Sequence, residues 1–426
     1  MAKALPKRSE LSRLTSPDAF WWATGIEDTF ITAPHAVTGR QLDEYELTGH
    51  YDRWRHDLGL MASLGVSAAR YGVPWHRIQP EKGRWEWQHA DEPLERLLEH
   101  GISPQVDLVH YGLPGWLERA YLDPDYPKHV AEYAARLAER FRGRIHWYTP
   151  LNEPRITAWY CGRLGWWPPH ERSWKGFLRV LMAVAAGIQA TVRALREVDS
   201  EIVAYHVDAT DLYVTTDPTL EAETQRRRDI VFLGLDLVSG RVDAQHPLFG
   251  WLQQTLGTDA GLQQLVDGAT PPEVIGLNLY PMFTAKHVVR GKGGRLRIAM
   301  PYTEQGLIEA VARGYHRHYG VPMMLSEIAT AGSEARRLRW LGRSVAAVRD
   351  LRAEGVPVTG YTWWPMFALV AWAWRQGRRP VESYLVQMGL WDLDTELNRI
   401  PTALVDAYRD VVAEGTSAAG PLRAAA

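Results

Sequence analysis

Two glutamates stand in settings that suit paired carboxylate chemistry. Glu153 lies in Leu151-Asn152-Glu153-Pro154, beside an amide able to bond a hydroxyl and a proline that ends a strand. Glu327 lies in Leu325-Ser326-Glu327-Ile328, where a short apolar run stops. Cleaving a glycosidic bond needs one carboxylic acid to protonate the leaving oxygen and one carboxylate to attack from the other face. A gap of about 5–5.5 Å between the two gives retention, and about 6.5–9.5 Å gives inversion. The acid needs a raised pKa and the nucleophile a lowered one, so their surroundings must differ. Arg70 could keep Glu327 ionised by Coulomb attraction, and Tyr280 could donate a hydrogen bond to it. A lone glutamate at a strand end is most often a surface carboxylate. The set of four carries the reading.

Residues so far apart can meet only if several strand ends converge. Strand-like runs occur at Ala19–Thr24, Ala68–Val73, Gln105–His110, Ile145–Leu151, Ile202–His206, Val274–Leu279, Met323–Ser326 and Val358–Trp363. Amphipathic segments separate them: His50–Leu64, Pro93–His100, Val130–Phe141, Trp174–Leu195 and Leu338–Leu351. Strand-then-helix units imply a parallel sheet, and eight of them close a single (β/α)8 TIM barrel over residues 1–426. Chemistry in such barrels sits at the C-terminal strand ends. Glu153 follows the fourth strand and Glu327 ends the seventh, on roughly opposite sides of the ring. Arg70 closes the second and Tyr280 follows the sixth.

Composition bounds the alternatives. Lys+Arg is 48 against Asp+Glu 50, so charge gives no reason to expect a nucleic-acid partner. The single cysteine, Cys161, excludes an intrachain disulfide and a cysteine metal cluster. His110, His146, His170, His206 and His246 are scattered, with no pair at ligand spacing, so neither a metal nor another cofactor is expected. Residues 1–10 are charged with no apolar stretch behind them, which reads as cytoplasmic rather than secreted. No run approaches about 18 consecutive apolar residues, so no membrane partner is expected. The small, polar tail from Glu414 is expected to fray. The 19 Trp and 18 Tyr against 8 Phe supply flat faces with polar edges, which suit sugar rings as well as core packing. A small glycoside is the expected partner, and a homo-oligomer is left open.

In sequence the chain resembles glycoside hydrolase family 1, the β-glucosidase-like enzymes, from roughly Phe20 to Ala407. His50–Val66 resembles the family's first helix. Ala69-Arg70-Tyr71-Gly72-Val73-Pro74-Trp75 is similar to its Tyr-Arg-Phe-Ser-Ile-Ser-Trp strand, and Val109-His110-Tyr111-Gly112-Leu113-Pro114 to its Tyr-His-Trp-Asp-Leu-Pro. Pro150-Leu151-Asn152-Glu153-Pro154 resembles the acid/base motif. Val274-Ile275-Gly276-Leu277-Asn278-Leu279-Tyr280 is similar to Phe-Leu-Gly-Ile-Asn-Tyr-Tyr, and Gly360-Tyr361-Thr362-Trp363-Trp364 to the last strand. The resemblance implies Glu153 as acid/base and Glu327 as nucleophile, with Arg70, Tyr280 and Asn278 around it. It implies His110 at the glycone, Asn152 at the 2-hydroxyl and Trp364 stacked under the sugar, with Trp372 and Glu27 as further substrate contacts.

The departures point to altered recognition. Where the family reads Thr-Glu-Asn-Gly, this chain has Ser326-Glu327-Ile328-Ala329. The family's Trp-Ser-Leu-Leu-Asp-Asn-Phe-Glu-Trp becomes Trp364-Pro365-Met366-Phe367-Ala368-Leu369-Val370-Ala371-Trp372, so Ala371 replaces the glutamate that grips the 4- and 6-hydroxyls. The early glutamine for the 3- and 4-hydroxyls is absent, and Glu27 and Asp28 occupy that region. Arg375, Arg378 and Arg379 could bind an anionic glycone or lie solvated on the rim. The basic, glycine-containing stretch Lys286–Arg297 reads as a mobile loop, a lid over the site. Trp159, Trp166 and Trp167 could host an aglycone or an acceptor. The expected function is retaining hydrolysis of a β-glycoside whose glycone is not plain glucose. Transglycosylation and a non-catalytic sugar-binding barrel are the alternatives.

Overall fold

The computed structural model describes residues 9–258 and 261–415; the tail from residue 416 lies outside them. Eight parallel strands close a barrel: β1 (Trp21–Gly25), β2 (Ala68–Gly72), β3 (Ser103–Asp107), β4 (Trp147–Thr149), β5 (Val203–Ala209), β6 (Val274–Leu279), β7 (Met323–Ile328) and β8 (Val358–Trp363). Each strand pairs with its sequence neighbours, and β1 closes the ring on β8 with Trp21 beside Gly360 and Thr24 beside Trp363. One long helix follows each strand: α1 (His50–Ser63), α2 (Gln88–Glu99), α3 (Tyr126–Arg140), α4 (Trp174–Val198), α5 (Glu221–Val238), α6 (Leu307–Tyr319), α7 (Glu334–Ala353) and α8 (Ala403–Glu414). This is the (β/α)8 barrel that the alternating pattern predicts.

The barrel's interior is divided by polarity. At its N-terminal end, Trp147, Val203, Tyr205, Val274 and Met324 pack with Leu14, which the short helix Ser9–Leu14 delivers beneath the strands. The opposite end is filled by charged and amide side chains, which an apolar plug could not hold in place by hydrogen bonds. Outside, the helices pack on the strands through a second apolar layer that includes Leu58, Leu94, Leu137, Leu181 and Val345. Such burial stabilises by about 25 cal/mol per Å2 of apolar surface removed from water.

Several boundaries differ from the sequence pattern. The third strand ends at Asp107, so His110 lies on the loop beyond it. The fourth stops at Thr149 because Pro150 has no N–H to continue the ladder. Helix α5 was not among the amphipathic segments singled out. Its first half is almost all charged and its second half is buried nearly all round, so no single apolar stripe runs along it. The stretch read as a mobile lid is a β-hairpin. Ala285–Arg290 pairs antiparallel with Leu296–Ala299, and Leu212–Val214 adds a third strand. By length and composition alone α4 is long and apolar enough to cross a bilayer, though it holds no unbroken apolar run of that length. Here it packs between α3 and α5, with Gly187 set directly against the Tyr126 ring.

The first and last helical units are clasped by a buried charge cluster. Asp57 of α1, with no exposed surface, accepts from His50 Nδ1 at 2.8 Å and from Arg399 Nε and Nη2 at 2.8 and 2.6 Å. Burial opposes its charge, but these donors outweigh burial and hold its pKa below the ordinary carboxylate value. A depressed pKa stabilises the fold above the unfolded value and is lost as pH falls through the folded one. Asp57→Ala is therefore expected to lower stability by about 3–5 kcal/mol, because it leaves Arg399 buried and unpaired. Urea melts at neutral pH would measure this, and Arg399→Met added to Asp57→Ala is expected to cost little more.

Candidate active site

Arg70 is the centre of the polar end of the barrel. It has no exposed surface, and its guanidinium donates to Glu327 Oε1, to Asp107 Oδ2 at 2.6 Å and to Asn152 Oδ1 at 2.8 Å. Burial disfavours its charge, yet Glu327, Asp107 and Asp28 more than offset that and raise its pKa well above the usual guanidinium value. Glu327 comes from β7, where a register irregularity between Leu325 and Glu327 sets it beside Asn278 of β6. Such a bulge re-aims the side chains around it. Tyr280 donates its hydroxyl to Glu327 Oε2 at 2.6 Å. Burial, then the Glu327 charge, pushes the Tyr280 pKa well above its ordinary value, so it stays a donor. Both partners expected for Glu327 are in place.

The expected low pKa of Glu327 is not. Burial pushes it up to about 7, with the nearby Glu153 charge adding to the rise against Arg70 and His110. A single guanidinium cannot answer so many carboxyls in one dry space.

Glu153 sits just past β4 in a left-handed backbone conformation, φ 51°, with its N–H on Val207 O at 3.1 Å. A non-glycine residue held there is strained by about 1–3 kcal/mol, which the surrounding ladder sustains. Asn278 Nδ2 donates to Glu153 Oε1 at 2.7 Å, and the Tyr111 hydroxyl donates to Oε2. Both are neutral partners. Asn278 also reaches Asn152 Oδ1 at 3.2 Å, and its own oxygen accepts from Ser326 Oγ at 2.7 Å, which fixes its amide orientation. Glu327, Arg70, Asn152, Asn278 and Glu153 thus form one continuous chain of contacts across four strands. Asn152 has no exposed surface, so it acts in this state as a link rather than as an open group for a hydroxyl.

The opposite flank holds Glu27, Asp28 and His110. Glu27 accepts from Thr29 N at 3.1 Å and from Trp364 Nε1 at 3.2 Å. Asp28 lies 2.7 Å from His110 Nδ1, and Asp107 lies 3.2 Å from the same atom. Burial opposes a charged imidazole, but these two acids outweigh it and hold the His110 pKa well above its usual value. Asp28 itself is pushed up to about 6, first by burial. Asn152 Nδ2 faces His110 Nε2 at 2.9 Å, a contact that the ring accepts only with Nε2 unprotonated, so it works against the charged form that the two acids favour. Asp28 also fits because of Gly72, where the family strand has serine: a Cβ there would fall 1.6 Å from Asp28 Oδ2. Asp28, Asp107 and His110 are close enough together to suggest a cation site. Their charge is already met by Arg70, and a cation there would face its guanidinium.

Trp364 departs from expectation. Its ring is fully buried, with Arg70 4.6 Å over it and the His110 ring parallel at 6.0 Å. It shows a sugar no open face here and serves to hold Glu27 and Arg70. Glu44 was not anticipated. It is fully buried, accepts from Val370 N at 3.0 Å, and is kept well above the ordinary pKa by burial and by Glu27. Its carboxyl stands next to Ala371, where the family has its own glutamate. Tyr111 was quoted only as part of a motif; its φ of 71° beside Gly112 was invisible in the sequence.

Beyond Tyr111 a cleft of about 670 Å3 opens, walled by Tyr160, Trp166, Trp167 and Trp372. Tyr111 packs 5.2 Å from Trp167 and 5.4 Å from Trp372, so one aromatic layer separates the cleft from Glu153. Trp159 does not join it and packs instead on Trp174 and Phe177. Of the three rim arginines only Arg375 lines the cleft, and it is buried, whereas Arg378 and Arg379 are exposed.

Residues 23–230 match the profile of glycosyl hydrolase family 1. The chain is 25% identical to the bifunctional β-D-glucosidase/β-D-fucosidase of Bifidobacterium breve, over 91% of this chain and 92% of that one. It is 24% identical to the thermostable β-glucosidase B of Thermobispora bispora, over 94% and 91%. The family 1 β-glucosidase structure from Thermotoga maritima superposes with a TM-score of 0.80 at 20% identity, covering 94% of this chain and 98% of that one, which is a likeness of fold. Together with the barrel and the order of its motifs, these likenesses make the chain a glycoside hydrolase that is similar, as a divergent relative, to glycoside hydrolase family 1.

Proposed function

We propose that the protein hydrolyses a β-linked glycoside with net retention, through a glycosyl ester on Glu327. The observation that carries this reading is the unequal company of the two glutamates. Glu327 meets a guanidinium and a phenol, which stabilise the carboxylate that attacks. Glu153 meets only a phenol and an amide, so no cation holds its negative charge, and it is the group suited to give a proton to the leaving oxygen. When Glu153 carries that proton, the Tyr111 hydroxyl can turn from donor to acceptor. After the first step the same group takes a proton from the incoming water.

The glycone is proposed to differ from plain glucose. Ala371 cannot bond a hydroxyl, Glu44 beside it is sealed from solvent, and both Glu27 oxygens already accept protein donors. A sugar hydroxyl that loses a carboxylate partner forfeits about 1.5–3 kcal/mol. Simple aryl β-glucosides, which the names of the relatives suggest, are therefore expected to turn over slowly. The aromatic cleft beyond Tyr111 would also seat an acceptor alcohol, which favours some transglycosylation; product analysis with added alcohols measures its share.

Trapping with activated 2-deoxy-2-fluoro glycosides of several glycones is expected to label Glu327, read by mass spectrometry of the peptide. An absence of adduct with every glycone would turn the reading to a sugar-binding barrel. Glu153→Gln is expected to slow substrates with poor leaving groups by about 10²–10⁴-fold and to spare the first step with a dinitrophenolate leaving group.

The attacking group must be ionised, so kcat/KM is expected to fall as pH drops through about 7, the value to which burial and Glu153 raise Glu327. In Glu153→Gln the neighbouring charge is gone. The acid limb, followed with the dinitrophenyl substrate, should then move to lower pH. An unmoved limb would mean that another group sets it.

A further inference from the structure

We infer that the cleft beside Tyr111 receives a flat aromatic aglycone that carries an oxyanion, with Arg375 as its anchor. The word aglycone rests on the proposed roles of Glu153 and Glu327; the charge preference of the cleft does not.

Five arginines are buried among the described residues. Arg70 pairs with Glu327 and Asp107, Arg155 with Asp211 at 2.9 Å, Arg337 with Asp392 at 2.7 Å and Arg399 with Asp57 at 2.6 Å. Arg375 is only 2% exposed and has no carboxylate within 4 Å among the described residues. Its Nη1 donates to Trp166 O at 3.3 Å and its Nη2 to Ala33 O at 2.8 Å, while Nε has no partner. A guanidinium offers five N–H donors, and two main-chain carbonyls neither use them up nor cancel the charge. A buried cation without a counter-ion is unfavourable unless something supplies the anion. Burial lowers its pKa for the same reason.

The cleft that Arg375 lines is suited to supply that anion from outside. His35, His170 and Arg172 share its lining, and no Asp or Glu does. His35 Nδ1 is taken by Thr38, so its Nε2 is the ring atom left for a ligand. The remaining wall is aromatic, with Trp167 stacked 4.4 Å from Tyr160 and Trp166 exposed at the mouth. Flat apolar walls with cations and no acids fit a planar ring bearing a carboxylate, whose two oxygens match the guanidinium fork. Tyr111 stands between the cleft and Glu153 and bonds the Glu153 carboxyl, so the cleft lies one ring away on the side of the acid that serves the leaving group.

Calorimetric titration with 4-hydroxybenzoate and 4-hydroxybenzamide tests the charge preference without any turnover. The acid is expected to bind the wild-type protein about tenfold more tightly than the amide. Arg375→Met is expected to abolish that difference, and Arg375→Lys to keep part of it. Arg172→Gln, at an exposed position, is expected to narrow the preference even if Arg375→Met fails to fold. Equal affinities in the wild type, or a preference untouched by all three variants, would overturn the inference. Hydrolysis of 4-carboxyphenyl and 4-carbamoylphenyl β-glucosides and β-fucosides separates the two claims. Equal rates on acid and amide keep the glycosidase and remove the anionic cleft. Selective binding of the acid, with cleavage of neither and no fluoroglycoside adduct on Glu327 with any glycone, keeps the cleft and removes the glycosidase.

Discussion

A fully buried guanidinium organises the polar end of this barrel. Arg70 leaves β2 and touches a carboxylate from β7, a carboxylate from β3 and an amide from the loop after β4. A charge in that position is tolerable only while all of its partners are held in place, because removing one side of a buried pair costs about 3–5 kcal/mol. Trp364 lies against one face of the guanidinium, and the same indole fixes Glu27. The position of Glu327 is therefore tied directly to satisfying Arg70, and that of Glu153 only through Asn152 and Asn278.

One guanidinium among Glu27, Asp28, Glu44, Asp107, Glu153 and Glu327, with His110 offsetting them in part, leaves a surplus of carboxyls. Burial first, and the crowding of acids after it, strengthens their hold on protons: Glu44 stays well above its usual pKa, Asp28 rises to about 6 and Glu327 to about 7. A site that holds protons near neutrality has acid and base forms of the same groups at hand, as an acid-then-base mechanism needs. The apolar plug of Trp147, Tyr205 and Met324 below closes the floor against water and keeps the dielectric low.

The differences from the family pattern come in compensating pairs. Gly72 takes the place of a serine and opens the room that Asp28 fills against His110. Ala371 removes a carboxylate from the rim, and Glu44 brings another to the neighbouring Val370 N–H from a different loop. In both cases a buried acid occupies the space. The open volume lies on the far side of Tyr111 beside Trp372 and Arg375.

The sequence by itself determined the barrel and the residues at its rim. Alternation of short apolar runs with amphipathic helices carries that information locally, so β6 and β8 were legible to the residue. Glu153, Arg70, Tyr280 and Asn278 were legible because they sit in order at strand ends, inside motifs of recognisable spacing, and Glu327 through its place at a strand end alone. Only the tertiary structure decided their environments. The burial that lifts Glu327 despite Arg70, the closure of Trp364, the arrival of Glu44 beside Ala371 and the separation of Arg375 from Arg378 and Arg379 all depend on side chains from distant strands. Desolvation and Coulomb energy depend on distance and enclosure in space, and neither is written in the order of residues along the chain.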